Sequence, residues 1–168
     1  MTANLKDIYN FVVASSAEKV SSLGFVRRGA TLRKLSHGNA AIIEFQKSTK
    51  NDRHELQFTI NIGIVCGKLI EEWRPPLARA GSVDAHLRLR IGMLLPERFD
   101  KWWQITEETD RDRLVAEVSS LILDQAVPYL ERYLDTNALV ALWESGKSPG
   151  LTEMQRISYL ALAKANAV

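Results

Sequence analysis

Arg88 and Arg90 lie two apart in the run His86-Leu87-Arg88-Leu89-Arg90-Ile91-Gly92-Met93. In an extended strand successive side chains point to opposite faces, so both guanidinium groups project together and Leu87, Leu89, Ile91 and Met93 take the other side. A guanidinium is planar and offers paired donors that fit a carboxylate or a phosphate. The run Glu55 to Val65 alternates in the same way, with Leu56, Phe58, Ile60, Ile62 and Ile64 against Gln57, Thr59, Asn61, Gly63 and Val65. Glu44 and Gln46 form a third such pair within Ala40 to Lys47. If these runs are neighbours in one sheet, Gln46, Asn61, Arg88 and Arg90 share a polar face. That face would be a ligand-binding surface for a small anion or an acidic protein segment. The competing use of the same residues is structural: an internal ion pair of Glu44 with Arg88 or Arg90.

Other chemistry-bearing patterns fall short. Gly63-Ile-Val-Cys-Gly67-Lys68-Leu69 places three residues between its glycines where a phosphate loop needs four, and Leu69 stands where a magnesium-binding hydroxyl belongs. His54-Glu55 opens like a metalloprotease motif, but the fifth position is Phe58 and the segment reads as a strand. His37, His54 and His86 have unrelated spacings, and none stands at metal-ligand spacing from Cys66, the single cysteine. There is no Gly-x-Ser-x-Gly elbow. Ser48 and Lys47 are adjacent and so point to opposite faces of a strand. Glu107, Glu108, Asp110 and Asp112 crowd a helix start, where acids are favoured by the macrodipole. No catalytic residue, metal ligand or cofactor is expected.

The elements that would position the polar face follow from periodicity. Asn4 to Leu23 predicts a helix, with Leu5, Ile8, Val12 and Val20 on one side and Gly24 closing it. Thr31 to Leu35 predicts a strand, Ser36-His37-Gly38-Asn39 a hairpin turn, and Ala40 to Lys47 the returning strand. Glu55 to Val65 and His86 to Met93 are further strands, with a last short one in Trp102 to Ile105. One of Trp102 and Trp103 belongs in the core and the other at the rim. Gly67 to Ala85, interrupted by Pro75-Pro76, is long enough to be a functional loop or to hold a short helix. From Asp110 the chain turns helical, with Leu114, Val118, Leu121 and Ile122 as the apolar stripe and Pro128 expected to kink or break it. Thr136 to Trp143 is another helix, and Thr152-Glu-Met-Gln155 is a capping box opening a last helix to about Ala165. The expected fold is α+β: an antiparallel sheet of about five strands with N- and C-terminal helices on one face.

Composition sets the limits on partners. The 168 residues are 46% hydrophobic and 25% charged, with a net charge of +2. That is globular, and too nearly neutral for a dedicated nucleic-acid binder. The balance is uneven: residues 1–100 carry 15 basic and 10 acidic side chains, residues 101–168 carry 7 and 10. No stretch reads as a signal peptide or a membrane span, so the expected location is cytoplasmic, with no membrane partner and Cys66 a buried thiol.

A set of ordered segments resembles the uncharacterised bacterial domain family DUF4304. They are Leu23-Gly24-Phe25 with Arg27-Arg28-Gly29, then Phe45-Gln46-Lys47-Ser48, Phe58-Thr-Ile-Asn61-Ile-Gly63-Ile64, His86-Leu-Arg88-Leu-Arg90-Ile-Gly92, Asp100-Lys101-Trp102-Trp103 and Ala126-Val-Pro128-Tyr-Leu130. The resemblance spans about residues 5–135. It implies one α+β domain over residues 1–135, a bacterial source and no assigned activity, with residues 136–168 as a helical extension of the same domain. Leu87 and Leu89 depart from the more polar or aromatic residues that family members often carry between the basic positions.

Three functions compete. The first is a non-enzymatic binding module acting through the polar face and the long loop. The second is an immunity or antitoxin-like protein that binds a toxin. The third is an enzyme with a nonstandard site around Arg88, Arg90, Asn61 and Gln46.

Overall fold

A computed structural model describes residues 4–165. Helix α1 spans Leu5–Ser21, and the Asn4 side chain caps it by accepting from the Lys6 backbone N–H at 3.0 Å. Six strands follow: β1 (Val26–Arg28), β2 (Thr31–Ser36), β3 (Asn39–Lys47), β4 (Leu56–Cys66), β5 (Leu87–Arg90) and β6 (Trp103–Ile105). They form one antiparallel sheet in the order β1-β2-β3-β4-β5, with β6 also on β4. β4 is long enough to hold both last strands on one side: its Asn61–Ile64 stretch pairs with β5 and its Leu56–Phe58 stretch with β6. The additional strand relative to the sequence reading is β1, whose residues are all exposed and so show no alternation.

Two strand limits are corrected. Asn39 belongs to β3, and the tight turn is His37-Gly38, both with positive φ (54° and 74°) as a two-residue hairpin requires. The strand expected over His86 to Met93 ends at Arg90, and Ile91–Leu94 is a 3-10 turn. Gly92 shows why: a Cβ there would lie 2.1 Å from the Phe99 carbonyl oxygen, so the chain is turned tightly against residues 99–101.

The helices fill one face of the sheet. α2 (Arg111–Leu121), α3 (Val127–Tyr133), α4 (Thr136–Ser145) and α5 (Glu153–Ala165) complete the fold. Pro128 does not break the helix that contains it. The chain runs from α2 into α3 through a π-helical turn at Ile122–Ala126, and Pro128 sits in the first turn of α3. Proline lacks an N–H and crowds the carbonyl four residues back, and a wider turn accommodates both. The capping box forms as the sequence predicts: Thr152 N–H donates to Gln155 Oε1 at 3.0 Å, and Gln155 N–H donates to Thr152 Oγ1 at 3.2 Å.

The main core lies between these helices and the sheet. Val12 of α1, Phe58, Ile60 and Ile62 of β4, Val118 of α2 and Leu130 of α3 are fully buried in it. Phe58 stacks on Trp103 with centroids 5.3 Å apart, and Tyr9 meets Phe58 edge-on at 5.5 Å. Leu139, Trp143 and Ala163 of α4 and α5 join the same buried cluster. Asn39 ties this end together. Its Nδ2 donates to the Leu134 carbonyl at 2.8 Å and to Thr136 Oγ1 at 3.0 Å, while its Oδ1 accepts from Gly67 N–H at 3.0 Å. None of the described helices is long and apolar enough to cross a membrane.

Candidate functional site

The register brings the predicted polar residues onto one face. Glu44 is opposite Asn61, Gln46 opposite Thr59, Asn61 opposite Arg90 and Gly63 opposite Arg88. Asn61 is 3% exposed, and its Nδ2 donates to Gln46 Oε1 at 2.6 Å. This leaves the amide N–H groups of the exposed Gln46 as outward donors. Arg88 is exposed, and its side chain has no hydrogen bond or ion pair within the described residues. Arg90 is half-buried. It pairs with Asp100, and its guanidinium lies 5.1 Å from the centroid of the Trp102 ring. Trp102 Nε1 also donates to Asp100 Oδ2 at 3.1 Å. The hydrogen bond from Arg90 holds the Asp100 carboxyl below the usual carboxylate range, with a smaller contribution from Trp102.

Glu44 does not pair with either arginine. Its Oε2 accepts from the Ser82 backbone N–H at 3.0 Å and its Oε1 faces the Thr31 hydroxyl at 3.5 Å. Arg33 Nε donates to the Ala80 carbonyl at 2.8 Å. These two side chains clamp residues 80–82 of the long segment over a small second core of Ala40, Ile42, Val65 and Ala80. The segment Gly67 to Ala85 is thus a cover built from three short 3-10 turns, at Gly67–Leu69, Leu77–Arg79 and Ser82–Asp84. Gly63 lets it pack close on the sheet: a Cβ there would stand 2.7 Å from Ala85 Cβ and from the Leu87 carbonyl. At the other end of the face the Thr59 hydroxyl donates to the Lys101 carbonyl at 2.7 Å. Gln46, Arg88 and Arg90 therefore lie on a strip between two covers, residues 67–85 and residues 99–102.

Two further titratable groups are structural. His86 Nδ1 accepts from the Cys66 backbone N–H at 3.0 Å, and its ring meets Tyr159 edge-on at 5.1 Å. Burial, helped by the Arg74 charge, pushes its pKa down to about 4, so the ring is neutral near pH 7. Cys66 is fully buried, and burial pushes its thiol up. Among the described residues no group of three or more His, Cys, Asp or Glu is arranged to hold a metal ion.

The polar residues that alternation places on one face do share it, and Trp103 takes the core and Trp102 the rim as the sequence predicts. The residue that periodicity does not single out is Asp100, the carboxylate that pairs with Arg90.

Fold and face together define the class: an α+β domain with one sheet face sealed by helices and the other partly covered over a row of arginines and amides. The chain belongs to the family described as a domain of unknown function, DUF4304, which matches residues 16–132. No curated protein and no solved structure matches it.

Proposed function

We propose that the protein is a non-enzymatic binding module of the bacterial cytoplasm, and that its polar sheet face takes an acidic protein segment or another anionic ligand. The observation that carries this reading is Arg88: an exposed guanidinium on a strand, with no side-chain partner among the described residues. Arg90 beside it is held in place by Asp100 and Trp102, and Gln46 adds outward amide donors. The pair of arginines against one carboxylate leaves the strip net positive. Donors fixed on a sheet lose little freedom when a carboxylate docks.

The test is fluorescence anisotropy with a labelled oligo-glutamate peptide at low salt. Arg88→Ala with Arg90→Ala is expected to weaken binding by about tenfold or more, as loss of charge-assisted donors does. Arg27→Ala with Arg28→Ala removes the same charge from the distant edge strand and is expected to have a much smaller effect. Equal losses in the two double variants would reduce the interaction to net charge and refute the site. A cooperative unfolding transition unchanged in the Arg88/Arg90 variant separates loss of binding from loss of fold.

A further inference from the structure

A separate cleft lies on the other side of β5, and none of Gln46, Asn61, Arg88 and Arg90 lines it. It is a half-open cleft of about 650 Å³ between β5, the 3-10 turn after it, α3, α4 and the linker that follows α4. That volume falls within the range of small-molecule sites, roughly 300–1,000 Å³. Its apolar lining includes Leu89, Leu94, Ala138, Ala141 and Leu142. Its charged lining is Arg98, Arg132 and Lys147, with no carboxylate among the lining residues. None of the three cations forms an ion pair within the described residues, and Arg132 rests only on the Tyr133 ring, 5.3 Å from its centroid.

Arg98 is placed there at a conformational cost. Its φ is +48°, in the left-handed region that non-glycine residues rarely adopt. The turn is locked by the Arg98 N–H donating to the Leu95 carbonyl at 3.0 Å and by the close approach of Gly92 to Phe99. Tyr129 and Tyr133 line the same cleft, their rings 4.9 Å apart, and neither hydroxyl has a partner within the described residues. A phenol is protonated at neutral pH, and burial pushes that of Tyr129 further up, to about 12.

We propose that this cleft binds a small amphipathic anion: an apolar body against Leu89, Leu94 and Leu142, and a carboxylate or phosphate head held by Arg98, Arg132 and Lys147. An isolated anion would gain nothing from the apolar lining, and an uncharged apolar molecule would leave the three lining cations without a counter-charge in the cleft. Only a ligand carrying both parts uses the whole lining. This site is independent of the polar face, because Leu89 and Arg88 point to opposite sides of β5.

The probes are decanoate, decyl phosphate, decanol and inorganic phosphate, below micellar concentration, followed by amide chemical shifts and calorimetry on the full chain. Decanoate or decyl phosphate is expected to saturate with a Kd on the order of 0.1 mM, and the tighter of the two identifies the head group. Decanol and inorganic phosphate are each expected to bind about tenfold more weakly or worse. Ala141→Phe, at an exposed helix position, fills the cleft without touching a charge and is expected to abolish binding. Arg98→Ala with Arg132→Ala and Lys147→Ala is expected to lower the decanoate affinity to that of decanol. Equal binding of decanol and decanoate, or decanoate binding that survives Ala141→Phe, would overturn the proposal. So would loss of decanoate binding in the Arg88→Ala, Arg90→Ala variant, which is expected to bind it normally whether or not the polar face takes an acidic peptide.

Discussion

The two faces of the sheet are held by different physics. The helix-covered face is continuous and dry, from Leu32 through Ile43 and Ile62 to Leu87, all fully buried. The opposite face has only a small apolar cluster, closed by a loop that two charged side chains fasten, Glu44 to the Ser82 N–H and Arg33 to the Ala80 carbonyl. Burial of apolar area is non-directional and scales with the area covered. Polar clamps are directional and each contributes little net stability, yet they are costly to break when a buried partner is left unpaired. The first face therefore carries stability, and the second is free to carry exposed charge.

The largest test of this contrast is Ile62→Ala, which opens a cavity in the helix-covered face. A loss of about 3–4 kcal/mol in urea unfolding is expected, as for other large-to-small changes in a sealed core. A loss below about 1 kcal/mol would mean that this face is not the main source of stability.

His86 comes next, at the seam where the loop and α5 meet β4. Its folded pKa of about 4 lies below the ordinary 6.5, so the unfolded chain takes up the proton first as pH falls. Its contribution is intact above pH 6.5 and lost as pH drops from 6.5 to about 4, at most about 3 kcal/mol in total. Urea midpoints measured between pH 7 and pH 4.5 should fall in the wild type and fall less in His86→Gln. Parallel curves would show that the ring is not held neutral by its surroundings.

Glu44→Ala tests the clamp. It leaves the N–H of the buried Ser82 without an acceptor, and a cost of about 1–2 kcal/mol is expected. Faster hydrogen exchange at Ser82 and its neighbours, with β4 amides unchanged, is the specific signature. A uniform change across the sheet would mean that the loop is integral to the main core. The smallest effect is expected for Arg88→Ala, within about 0.5 kcal/mol of wild type, because no hydrogen-bond or ion-pair partner among the described residues is left unpaired by removing the side chain. A larger loss would make Arg88 structural and remove the support for the binding reading.

Much of this was legible in the residues. The alternation of β4 placed Ile60 and Ile62 on one side and Thr59 and Asn61 on the other, and Arg88 and Arg90 followed from the same rule. The capping box at Thr152 is local and equally readable. β1 was not, because three exposed residues have no period. The strand after Arg90 was overextended, because Leu89, Ile91 and Met93 keep the alternation while the backbone turns to meet Phe99. Pro128 signals a kink or a break, and the sequence does not say that a π turn at Ile122–Ala126 takes up the proline without ending the helical run, because such a turn has no sequence pattern of its own.

The sequence alone determined which side chains share a face, since a period of two or of 3.6 is a property of the local backbone. Only the tertiary structure decided which of them are satisfied. Glu44 is 38 residues from Ser82, Asn39 is 95 from Leu134, and Arg90 is 10 from Asp100 around a turn. Such partners are chosen when the chain folds back, by which backbone group arrives within hydrogen-bond reach. That choice occupied Glu44, anchored Arg90 and left the Arg88 side chain exposed, with no partner among the described residues.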